Sequence, residues 1–503
     1  MKFKYLLASL SLTCAMAAGA LDITTVEAGT LASLTGDDKD ITTLKISGPV
    51  NAADFFYITD NLTSLTSLDL SDATIEAVSG LKTATGNTEF AANEIPHYAL
   101  FGSKVSSVVL PDNITLIGEG AFGNTAITSI EIPESVTTIS NYAFTGCNSL
   151  TDITVPSTVT TLGAGVWMGC TALEKATILT QLEEVPENLF ANCSSLSQLQ
   201  LQPTYKSLGN SAFVNCTKLA DFSFPASLVS VGDKAFYNSG LTAVNLAGAS
   251  SLASIGDFAF AKCAALENVN MGDAAPVLGK GIFFDDTALV QVQLPSSTTV
   301  IPAFTFKGTS SLDSDNTLPS TTQSIGDYAL CGWENATSII LPEDTRYLGT
   351  GAMEGWTSLQ KIGAEHLSQV PELGSDVWAG VNQDKVYLYV KEATAADFNA
   401  ADQWKEFKVT IGASGVDNIM DDAAAVNGSA NVDFNVGDGY IRIESQGSPI
   451  AAVRIYDLNG RNRYAAATDS NSVTVNTSQW RGSVLLVDVT LADGARASIK
   501  VSI

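Results

Sequence analysis

Residues 132–153 read Ile-Pro-Glu-Ser-Val-Thr-Thr-Ile-Ser-Asn-Tyr-Ala-Phe-Thr-Gly-Cys-Asn-Ser-Leu-Thr-Asp-Ile, and this stretch is one unit of a pattern that returns along the chain. Its most regular feature is a large apolar residue, usually Phe, that recurs every 22 to 25 positions. These residues, called the anchors below, are Leu100, Phe122, Phe144, Trp167, Phe190, Phe213, Phe236, Phe260, Phe283, Phe306, Leu330, Met353 and Trp378. A fixed period in this range predicts a solenoid, in which each coil packs only against its neighbours.

Each repeat contains three pieces. The first piece, as in residues 150–155, ends in an alternation of apolar and polar residues, which predicts a half-buried strand. Pro156 then ends this strand because proline has no backbone donor. The second piece, as in residues 159–163, predicts a short second strand that closes in a turn. The third piece carries the anchor, as in residues 142–147, and there we predict one helical turn.

The whole pattern resembles the leucine-rich repeats of the BspA-like family. The motif of that family runs close to Ile-Pro-x-Ser-Val-Thr-x-Ile-Gly-x-x-Ala-Phe-x-Gly-Cys-x-x-Leu-x-x-Ile, which residues 132–153 match closely. The match recurs, with decay, from about residue 96 to about residue 380. The resemblance implies an exported or surface protein of Bacteroidetes-type bacteria or of some protists. It also implies adhesion to host proteins or to other cells.

The first residues are typical of an export signal. Lys2 and Lys4 give a short positive region, and residues 5–17 form an apolar stretch that is too short to span a bilayer. Ala18-Gly19-Ala20 fits the small-x-small rule for cleavage before Leu21. We therefore predict a chain that is exported and found at the cell surface or outside the cell, associated with the outer membrane, and that has no transmembrane segment.

The repeat pattern also sets the predicted domain boundaries. These are residues 1–20 for the signal peptide, 21–95 for an N-terminal cap and first leucine-rich unit, 96–411 for the BspA-like repeats with their C-terminal cap, 412–424 for a linker and 425–503 for a β-sandwich. Within the caps we predict a helix from Asn51 to Leu62 that is capped by Asn51, a loop insertion at residues 71–95, and a helix from Glu392 to Phe407.

Beyond the linker the repeat stops, and short strand patterns alternate with turn residues. This spacing predicts a small β-sandwich. Residues 453–461, Gly482 and Lys500 stand in a pattern that resembles the C-terminal sorting domains of type IX secretion. The tail at residues 501–503 departs from that resemblance because it lacks a basic finish. A related sandwich that simply ends the protein is the alternative.

The balance of charge excludes some partners. The chain carries 53 acidic and 26 basic residues, for a formal net charge of −27. Nucleic acid as a partner needs clustered Lys and Arg, so we exclude it, together with binding to an anionic membrane surface. Repulsion between like charges keeps a long rod soluble. Acidic loops that bind cations are the alternative interpretation, and we expect a monomer.

No catalytic motif stands out. The two histidines, His97 and His366, lie in loop-like segments without a recognisable nucleophile. A nucleophile elbow, a P-loop, a dinucleotide fingerprint and a zinc-binding His pair are all missing from the sequence. We therefore predict no enzyme, no catalytic residue, no metal site and no cofactor. A hydrolase with an unrecognised carboxylate pair is the weaker alternative.

Five cysteines follow their anchors at a constant offset of three residues. They are Cys147, Cys170, Cys193, Cys216 and Cys263. Because neighbouring strands stack about 4.8 Å apart, these side chains should form a ladder. Buried thiols, disulfides between coils and a thiolate metal site are the three interpretations. Trp333 and Trp356 occupy the same offset, either as core residues or as a platform for sugars.

The outward position of the first strand gives the candidate binding face. Glu131 opens a series of polar residues there, and the remaining members, called the polar row below, are Thr154, Thr177, Gln200, Ser223, Asn245, Asn270 and Gln293. These seven are uncharged in a chain rich in acids. Amide and hydroxyl side chains stack well between coils, which is one explanation. The other is a flat hydrogen-bonding face for an extended protein or glycan, which binds with avidity along its length.

We therefore predict a leucine-rich-repeat solenoid, β-rich with short helical turns and about thirteen coils, followed by a small all-β sandwich. The predicted function is non-catalytic adhesion or binding to a protein or glycan ligand on host or neighbouring cells. Glycan capture for nutrient uptake is the alternative function.

Overall fold

The computed structural model describes residues 19–36, 38–81, 86, 88–314, 316–412, 432–437, 440–457, 462–477, 480, 484–493 and 496–502. The chain divides into two compact units, Met1–Val416 and Asp417–Ile503. All but the last two residues of the predicted signal peptide lie outside the described residues. So does the predicted linker after Gly412.

The N-terminal segment builds the first coils from longer strands and two helices. Its elements are β1 (Ala20–Thr24), α1 (Leu31–Thr35), β2 (Thr43–Val50), α2 (Ala52–Asn61), β3 (Ser67–Ile75), β4 (Val78–Ser79) and β5 (Glu89–Phe90). The helix predicted after Asn51 is confirmed as α2. Its first turn is held by a reciprocal pair of bonds: Asn51 Oδ1 accepts from Ala53 N at 2.9 Å, and Asp54 Oδ2 accepts from Asn51 N at 2.9 Å.

The predicted loop insertion at residues 71–95 is wrong in part. Strand β3 continues to Ile75, and β4 pairs antiparallel with β5, so that Val78 lies opposite Phe90. Strand β3 runs longer than the strand of a regular repeat, because it pairs with the long strand β2 as far as Val50. The segment therefore holds the end of a parallel strand and a small hairpin.

The repeats contain strands of three or four residues and strands of two, which alternate along most of the chain. In chain order they are β6 (Glu94–Ile95), β7 (Ser107–Val109), β8 (Leu116–Ile117), β9 (Thr138–Ile139), β10 (Asp152–Val155), β11 (Thr161–Leu162), β12 (Lys175–Ile178), β13 (Glu184–Val185), β14 (Gln198–Leu201), β15 (Ser207–Leu208), β16 (Ser230–Val231), β17 (Ala243–Asn245), β18 (Ser254–Ile255), β19 (Asn268–Asn270), β20 (Val277–Leu278), β21 (Gln291–Gln293), β22 (Val300–Ile301), β23 (Ser324–Ile325), β24 (Ser338–Ile340), β25 (Tyr347–Leu348), β26 (Lys361–Gly363) and β27 (Glu372–Leu373).

The solenoid has about 17 turns, more than the thirteen predicted. The prediction counted anchors, and the strands of both caps stack as further coils without an anchor phenylalanine. A solenoid of leucine-rich repeats followed by a small β domain is confirmed as the fold class.

Two sets of parallel ladders run along the solenoid. The long strands form sheets in the orders β1-β2-β3-β7, β10-β12-β14 and β17-β19-β21, and a fourth sheet includes β24 and β26. The two-residue strands form β11-β9-β8-β6, β13-β15-β16-β18-β20 and β22-β23-β25-β27. The outward sides of these two sets are called the long-strand face and the short-strand face. Inward residues of both sets, such as Ile153 and Leu208, are buried.

The long-strand ladder is interrupted where a side chain replaces a strand. Between β21 and β24, Asn316 Nδ2 donates to Val290 O at 3.0 Å and Asn316 Oδ1 accepts from Val292 N at 3.1 Å. This amide gives the edge of β21 the donor and acceptor that a neighbouring strand would supply. On the other side, Ser314 Oγ accepts from the backbone N–H groups of Thr337 and Ser338.

The anchor segment is a hydrogen-bonded turn, and the prediction of a helical turn there is wrong. Alternate N–H groups bond to the next coil, as in Phe144 N to Val166 O at 2.9 Å, while Cys147 N closes a turn onto Phe144 O at 3.2 Å. Tyr142 has a φ of 56° and Gly146 a φ of 68°. These left-handed residues prevent a continuous helix and aim every second amide along the solenoid axis.

The anchors form one continuous core. Nine rings from Phe122 to Phe306 lie one above the next, with neighbouring centroids 5.1 to 6.4 Å apart and planes within 15° of parallel. Stacked aromatic pairs contribute about 0.5–1.5 kcal/mol each beyond their buried area. The stack fixes the register of the coils and hence the alignment of every surface row.

The C-terminal cap closes the core with a shorter helix than predicted. It consists of a 3-10 helix (Gln383–Lys385), β28 (Tyr387–Val390), α3 (Glu392–Ala400), a second 3-10 helix (Trp404–Glu406) and β29 (Lys408–Ile411). The fourth long-strand sheet has the order β24-β26-β28-β29. The predicted helix to Phe407 breaks after Ala400, because Trp404 turns into the core and donates from Nε1 to Pro371 O at 3.1 Å.

The second unit contains two antiparallel sheets. Its strands are β30 (Val432–Gly437), β31 (Tyr440–Ser445), β32 (Ile450–Asp457), β33 (Asn462–Ser470), β34 (Ser472–Asn476), β35 (Val484–Leu491) and β36 (Arg496–Ser502). The sheet orders are β30-β31-β34 and β33-β32-β35-β36. Ile441 and Val475 from the first sheet share one buried cluster with Val453 and Val487 from the second, as a sandwich requires.

Candidate functional site

The structure places the polar row on the long-strand face in two groups of three. Thr154 pairs with Thr177 and Thr177 with Gln200, and Asn245 likewise pairs with Asn270 and Asn270 with Gln293. Thr177 and Asn270 are half-buried in the middle of their sheets, and the other members, Ser223 included, are exposed. Their neighbours Ile153, Val244 and Val269 point inward and are buried. The side chains within each group therefore stand side by side in register.

Ser223 separates the two groups. Residues 219–224 form no strand, and the hydroxyl of the buried Tyr205 donates to Ser223 O at 2.9 Å. Phe222 and Phe224 pack against the anchor Phe236, with ring centroids 4.8 and 5.7 Å away. The bulk of these two rings and the hydrogen bond from Tyr205 explain why residues 219–224 do not pair as a strand with the neighbouring coils. Glu131, which precedes the polar row in the sequence, is exposed and also lies outside a strand.

The amides of the row do not stack on each other. Asn245 Oδ1 accepts from Ala247 N at 3.2 Å, and Asn270 Oδ1 accepts from Gly272 N at 2.9 Å. Within the described ranges no hydrogen bond joins two side chains of the row. An amide ladder does form at the anchor turns, where Asn215 donates to Asn192 at 2.7 Å and Asn238 donates to Asn215 at 2.8 Å.

The rest of these two sheets is close to electrically neutral. The second outward position of the six strands carries Asp152, Lys175, Gln198, Ala243, Asn268 and Gln291. One acid and one base therefore stand among twelve outward side chains, although the chain as a whole has a formal charge of −27. Such a surface presents hydrogen-bonding groups without strong repulsion of either sign.

The cysteine ladder is internal and consists of free thiols. Each thiol donates a hydrogen bond to the carbonyl of the anchor in the preceding coil, as Cys193 Sγ does to Trp167 O at 3.1 Å. The same bond recurs for Cys147, Cys170, Cys216 and Cys263, at 3.1 to 3.2 Å. Burial raises the pKa of Cys193 to about 12, so this thiol stays protonated and keeps its donor.

The two tryptophans at the cysteine offset are core residues. Trp333 and Trp356 are buried and stack on each other with centroids 5.4 Å apart. Trp356 Nε1 donates to Leu330 O at 2.7 Å, so the indole replaces the thiol of other coils. Their interpretation as a platform for sugars is therefore wrong, because no ligand reaches either ring.

Sequence reasoning missed a set of half-exposed aromatic residues on the anchor turns. Phe258, Phe284, Phe304 and Tyr328 lie there, with Phe304 and Tyr328 stacked at 5.7 Å. Lys307 Nζ lies 4.5 Å from the centroid of the Tyr328 ring. The position two residues before each anchor has the left-handed conformation, and a ring there covers the glycine of the next coil, as Phe258 covers Gly281. Aromatic residues at that offset were the sequence signal for Phe258, Phe304 and Tyr328, whereas Phe284 directly follows its anchor.

The described residues show no constellation typical of catalysis. None of them form a group of three or more metal-ligating side chains. His97 has a structural role, because its Nδ1 accepts from Glu119 N of the next coil at 2.8 Å. In the part of the chain that the structure covers, no helix combines the length and apolar character needed to cross a bilayer.

Solved structures of leucine-rich repeat proteins resemble this chain to different degrees. A leucine-rich repeat protein from Bacteroides ovatus is 23% identical over 69% of this chain and 84% of that chain, with a TM-score of 0.58. A leucine rich cell surface protein from Faecalibacterium prausnitzii is 21% identical over 64% and 79%, with a TM-score of 0.30. A leucine-rich repeat protein from Eubacterium ventriosum is 17% identical over 64% and 85%, with a TM-score of 0.35. Of these three, only the first supports an argument, and it supports the fold alone.

Family comparisons agree with the repeat pattern. No curated protein matches the chain. A domain family of unknown function matches residues 422–503, which assigns no sorting role to the second unit. The BspA type leucine-rich repeat region matches at residues 93–219, 183–313 and 301–387. Because these segments together cover more than half of the sequence, the chain belongs to the BspA-type leucine-rich repeat family.

Proposed function

We propose that this chain is an exported, non-catalytic binding protein that acts at the cell surface or outside the cell. It adheres through the long-strand face to a protein on host or neighbouring cells. Membership of the BspA-type family and the solenoid fold support a binding role in general. A solenoid presents a long, repetitive and open surface, which suits recognition of an extended partner better than it suits chemistry in a pocket.

The observation that carries the proposal is the outward position of the polar row on two sheets that bear only one acid and one base among twelve outward side chains. Hydroxyl and amide groups recur there at the strand spacing of about 4.8 Å. Because the amides do not bond to each other, their donors remain open to a ligand. Each contact is weak, since a typical hydrogen bond contributes only about 0.5–1.5 kcal/mol. Repetition over neighbouring coils supplies the avidity.

A protein ligand fits this face better than a neutral glycan does. Sugar recognition commonly places an aromatic ring against the sugar, and the polar row contains no aromatic member. Trp333 and Trp356, the two tryptophans at the cysteine offset, are buried in the core. Amide and hydroxyl side chains both donate and accept hydrogen bonds, so they can bind the backbone N–H and C=O groups of an extended polypeptide.

The location and the second unit belong to the same proposal. Membership of the BspA-type family and the export signal predicted at residues 1–20 support a location at the cell surface or outside the cell. The second unit acts as a sorting domain in this scheme. Intact-mass analysis of the protein from the cell surface tests it, and a C-terminus that ends at Ile503 counts against cleavage during sorting.

An array that carries extracellular-matrix proteins and glycans side by side tests the proposed function. Purified protein is expected to bind a subset of the proteins at micromolar concentration. Signal confined to neutral glycans overturns the adhesion proposal in favour of nutrient capture. Turnover of a glycan or peptide on the same array overturns the non-catalytic assignment.

A further inference from the structure

The long-strand face changes character in its last sheet, β24-β26-β28-β29. Its outward residues pair in two rows across the four strands. The first row is Ser338, Lys361, Tyr387 and Lys408, and the second is Ile340, Gly363, Tyr389 and Thr410. Eight outward positions thus hold two lysines, two tyrosines and no acid, in a chain whose acids outnumber its bases by 53 to 26.

Tyr387 stands between the two lysines. It is 45% exposed, and its register partners are Lys361 on one side and Lys408 on the other. Lys408 Nζ lies 5.4 Å from the centroid of the Tyr387 ring. Within the described part of the chain, no carboxylate lies within 4.0 Å of either ammonium group. The acids nearest to these strands in sequence, Glu365, Glu392 and Glu406, each lie two residues beyond a strand end.

Tyr389 adds a second ring beside the first. The ring centroids of Tyr387 and Tyr389 are 6.3 Å apart and their planes are tilted by 34°. Gly363, the register partner of Tyr389, has no side chain to cover the neighbouring strand. The two half-exposed rings therefore form a shallow aromatic surface with a cation at each side of Tyr387.

This combination identifies the chemistry of a ligand. Flat phenol rings offer stacking to the C–H faces of a sugar, and their hydroxyls offer hydrogen bonds. Two ammonium groups on alternate strands stand roughly 10 Å apart at their backbones and attract anions. The attraction is local, because the net charge of the chain repels anions elsewhere. An acidic peptide would use the lysines alone and would leave the exposed rings without a role.

We propose that Lys361, Tyr387, Tyr389 and Lys408 bind an anionic sugar chain, with the rings against the sugar faces and the ammonium groups on its carboxylate or sulfate groups. The site is separate from the polar row and does not rest on the proposed function. The anion is either a uronate carboxylate or a sulfate ester, and both present the same negative oxygens to the lysines.

Binding of full-length protein to immobilised polysaccharides tests this site. The probes are polygalacturonate, chondroitin sulfate, neutral dextran and poly-glutamate. We expect binding to one or both anionic sugars, weaker in higher salt, and little binding to dextran. Preference between polygalacturonate and chondroitin sulfate identifies the carboxylate or the sulfate as the anion. Binding to poly-glutamate as tight as to the sugars overturns the proposal.

Variants separate this site from general electrostatics. Lys361→Gln with Lys408→Gln, and separately Tyr387→Ala, are each expected to weaken sugar binding at least tenfold. The matched control is Lys175→Gln with Lys218→Gln, which removes two exposed lysines away from any tyrosine pair. An unchanged melting temperature shows that the variants fold. Equal loss in the control, or undiminished binding by Tyr387→Ala, overturns the site.

Discussion

The backbone N–H of Cys263 donates to Oδ1 of Asp286 in the next coil, at 2.7 Å. In other coils the equivalent N–H closes a turn onto the carbonyl of its own anchor, as Cys216 N does onto Phe213 O. In several coils the anchor carbonyl also receives a side-chain donor from the next coil, as Phe190 O does from Cys216 Sγ at 3.1 Å. Asp286 occupies the donor position, yet its Oδ2 has no hydrogen-bond partner among the described residues.

The position three residues past the anchor otherwise holds donors along most of the solenoid. Its occupants from the second anchor onward are Thr125, Cys147, Cys170, Cys193, Cys216, Ser239, Cys263, Asp286, Thr309, Trp333 and Trp356. A carboxylate cannot donate, whereas a neutral carboxylic acid can. Burial raises the pKa of Asp286 well above its ordinary value, and the nearby Asp285 charge adds to the shift. A protonated Asp286 would supply a donor at this position, as the thiols do in the neighbouring coils.

Asp286→Asn should stabilise the solenoid at neutral pH. The asparagine keeps an oxygen for Cys263 N and supplies a permanent N–H donor. A carboxyl whose folded pKa is raised contributes stability that is fully present below its unfolded value of about 3.9 and is lost as the pH rises through the folded pKa. The denaturation midpoint of the variant, relative to wild type, should therefore increase steadily as the pH rises above about 4.

Asp233→Asn is the matched control for this experiment. Asp233 Oδ1 accepts from Asp257 N at 2.8 Å on the exposed edge, and an asparagine retains that bond. Its midpoint should follow the wild type at every pH. A difference between Asp286→Asn and wild type that does not change with pH contradicts a protonated Asp286.

Cys193→Ala should destabilise the coil more than Cys193→Ser. The alanine removes the thiol donor to the buried carbonyl of Trp167, which then keeps only the bond from Cys170 N, and a typical hydrogen bond contributes about 0.5–1.5 kcal/mol. The serine retains a donor, as Ser239 does at the same offset. Chemical denaturation of both variants measures the difference. Equal destabilisation assigns the role of Cys193 to packing alone.

Thiol labelling should separate Cys331 from the ladder. Cys331 is half-exposed, whereas burial raises the pKa of Cys263 to about 12 and that of Cys216 well above its usual value. A maleimide should therefore modify Cys331 first in the native protein. All six described cysteines should react after denaturation without reductant. A ladder cysteine that reacts only after reduction shows a disulfide and contradicts the free-thiol ladder.

Asn316→Ala should loosen the edge of β21. The change removes the donor to Val290 O and the acceptor for Val292 N, which together stand in for a strand. Hydrogen exchange at the Val292 amide should accelerate, while exchange at Val269 in the middle of the same sheet should not. Asn335→Ala is the control, because it removes a single exposed bond to Ser310 O. Unchanged exchange at Val292 means that the amide does not replace a strand.

The repeat spacing was enough to predict the solenoid, because each anchor must be buried and each coil offers only one place for it. All thirteen anchors are at most 3% exposed. Alternation in residues 152–155 likewise predicted which side chains point outward. The turn around Phe144 was wrongly predicted as helical, since its amides bond to the next coil, and one repeat in isolation carries no sign of that bond.

Long-range replacements could not be predicted from the sequence. Asn316 serves as a strand only because the chain around residues 312–318 places it beside Val290 and Val292. The tyrosine and lysine site at β26, β28 and β29 depends on register across three coils of unequal length. The sequence does not show that an acid at position 286 is unusual, because the donor role of the cysteines at the same offset is a property of the folded structure.

The most direct test of the central claim compares binding by two double variants to the protein ligand that the array identifies. Gln200→Arg with Gln293→Arg places a charge on each sheet of the polar row. Thr161→Arg with Val277→Arg adds the same charge at exposed positions of the short-strand face. We predict at least a tenfold rise in the dissociation constant for the first variant and a change below twofold for the second. Equal affinity of the first variant and wild type would contradict the claim that the long-strand face binds the partner.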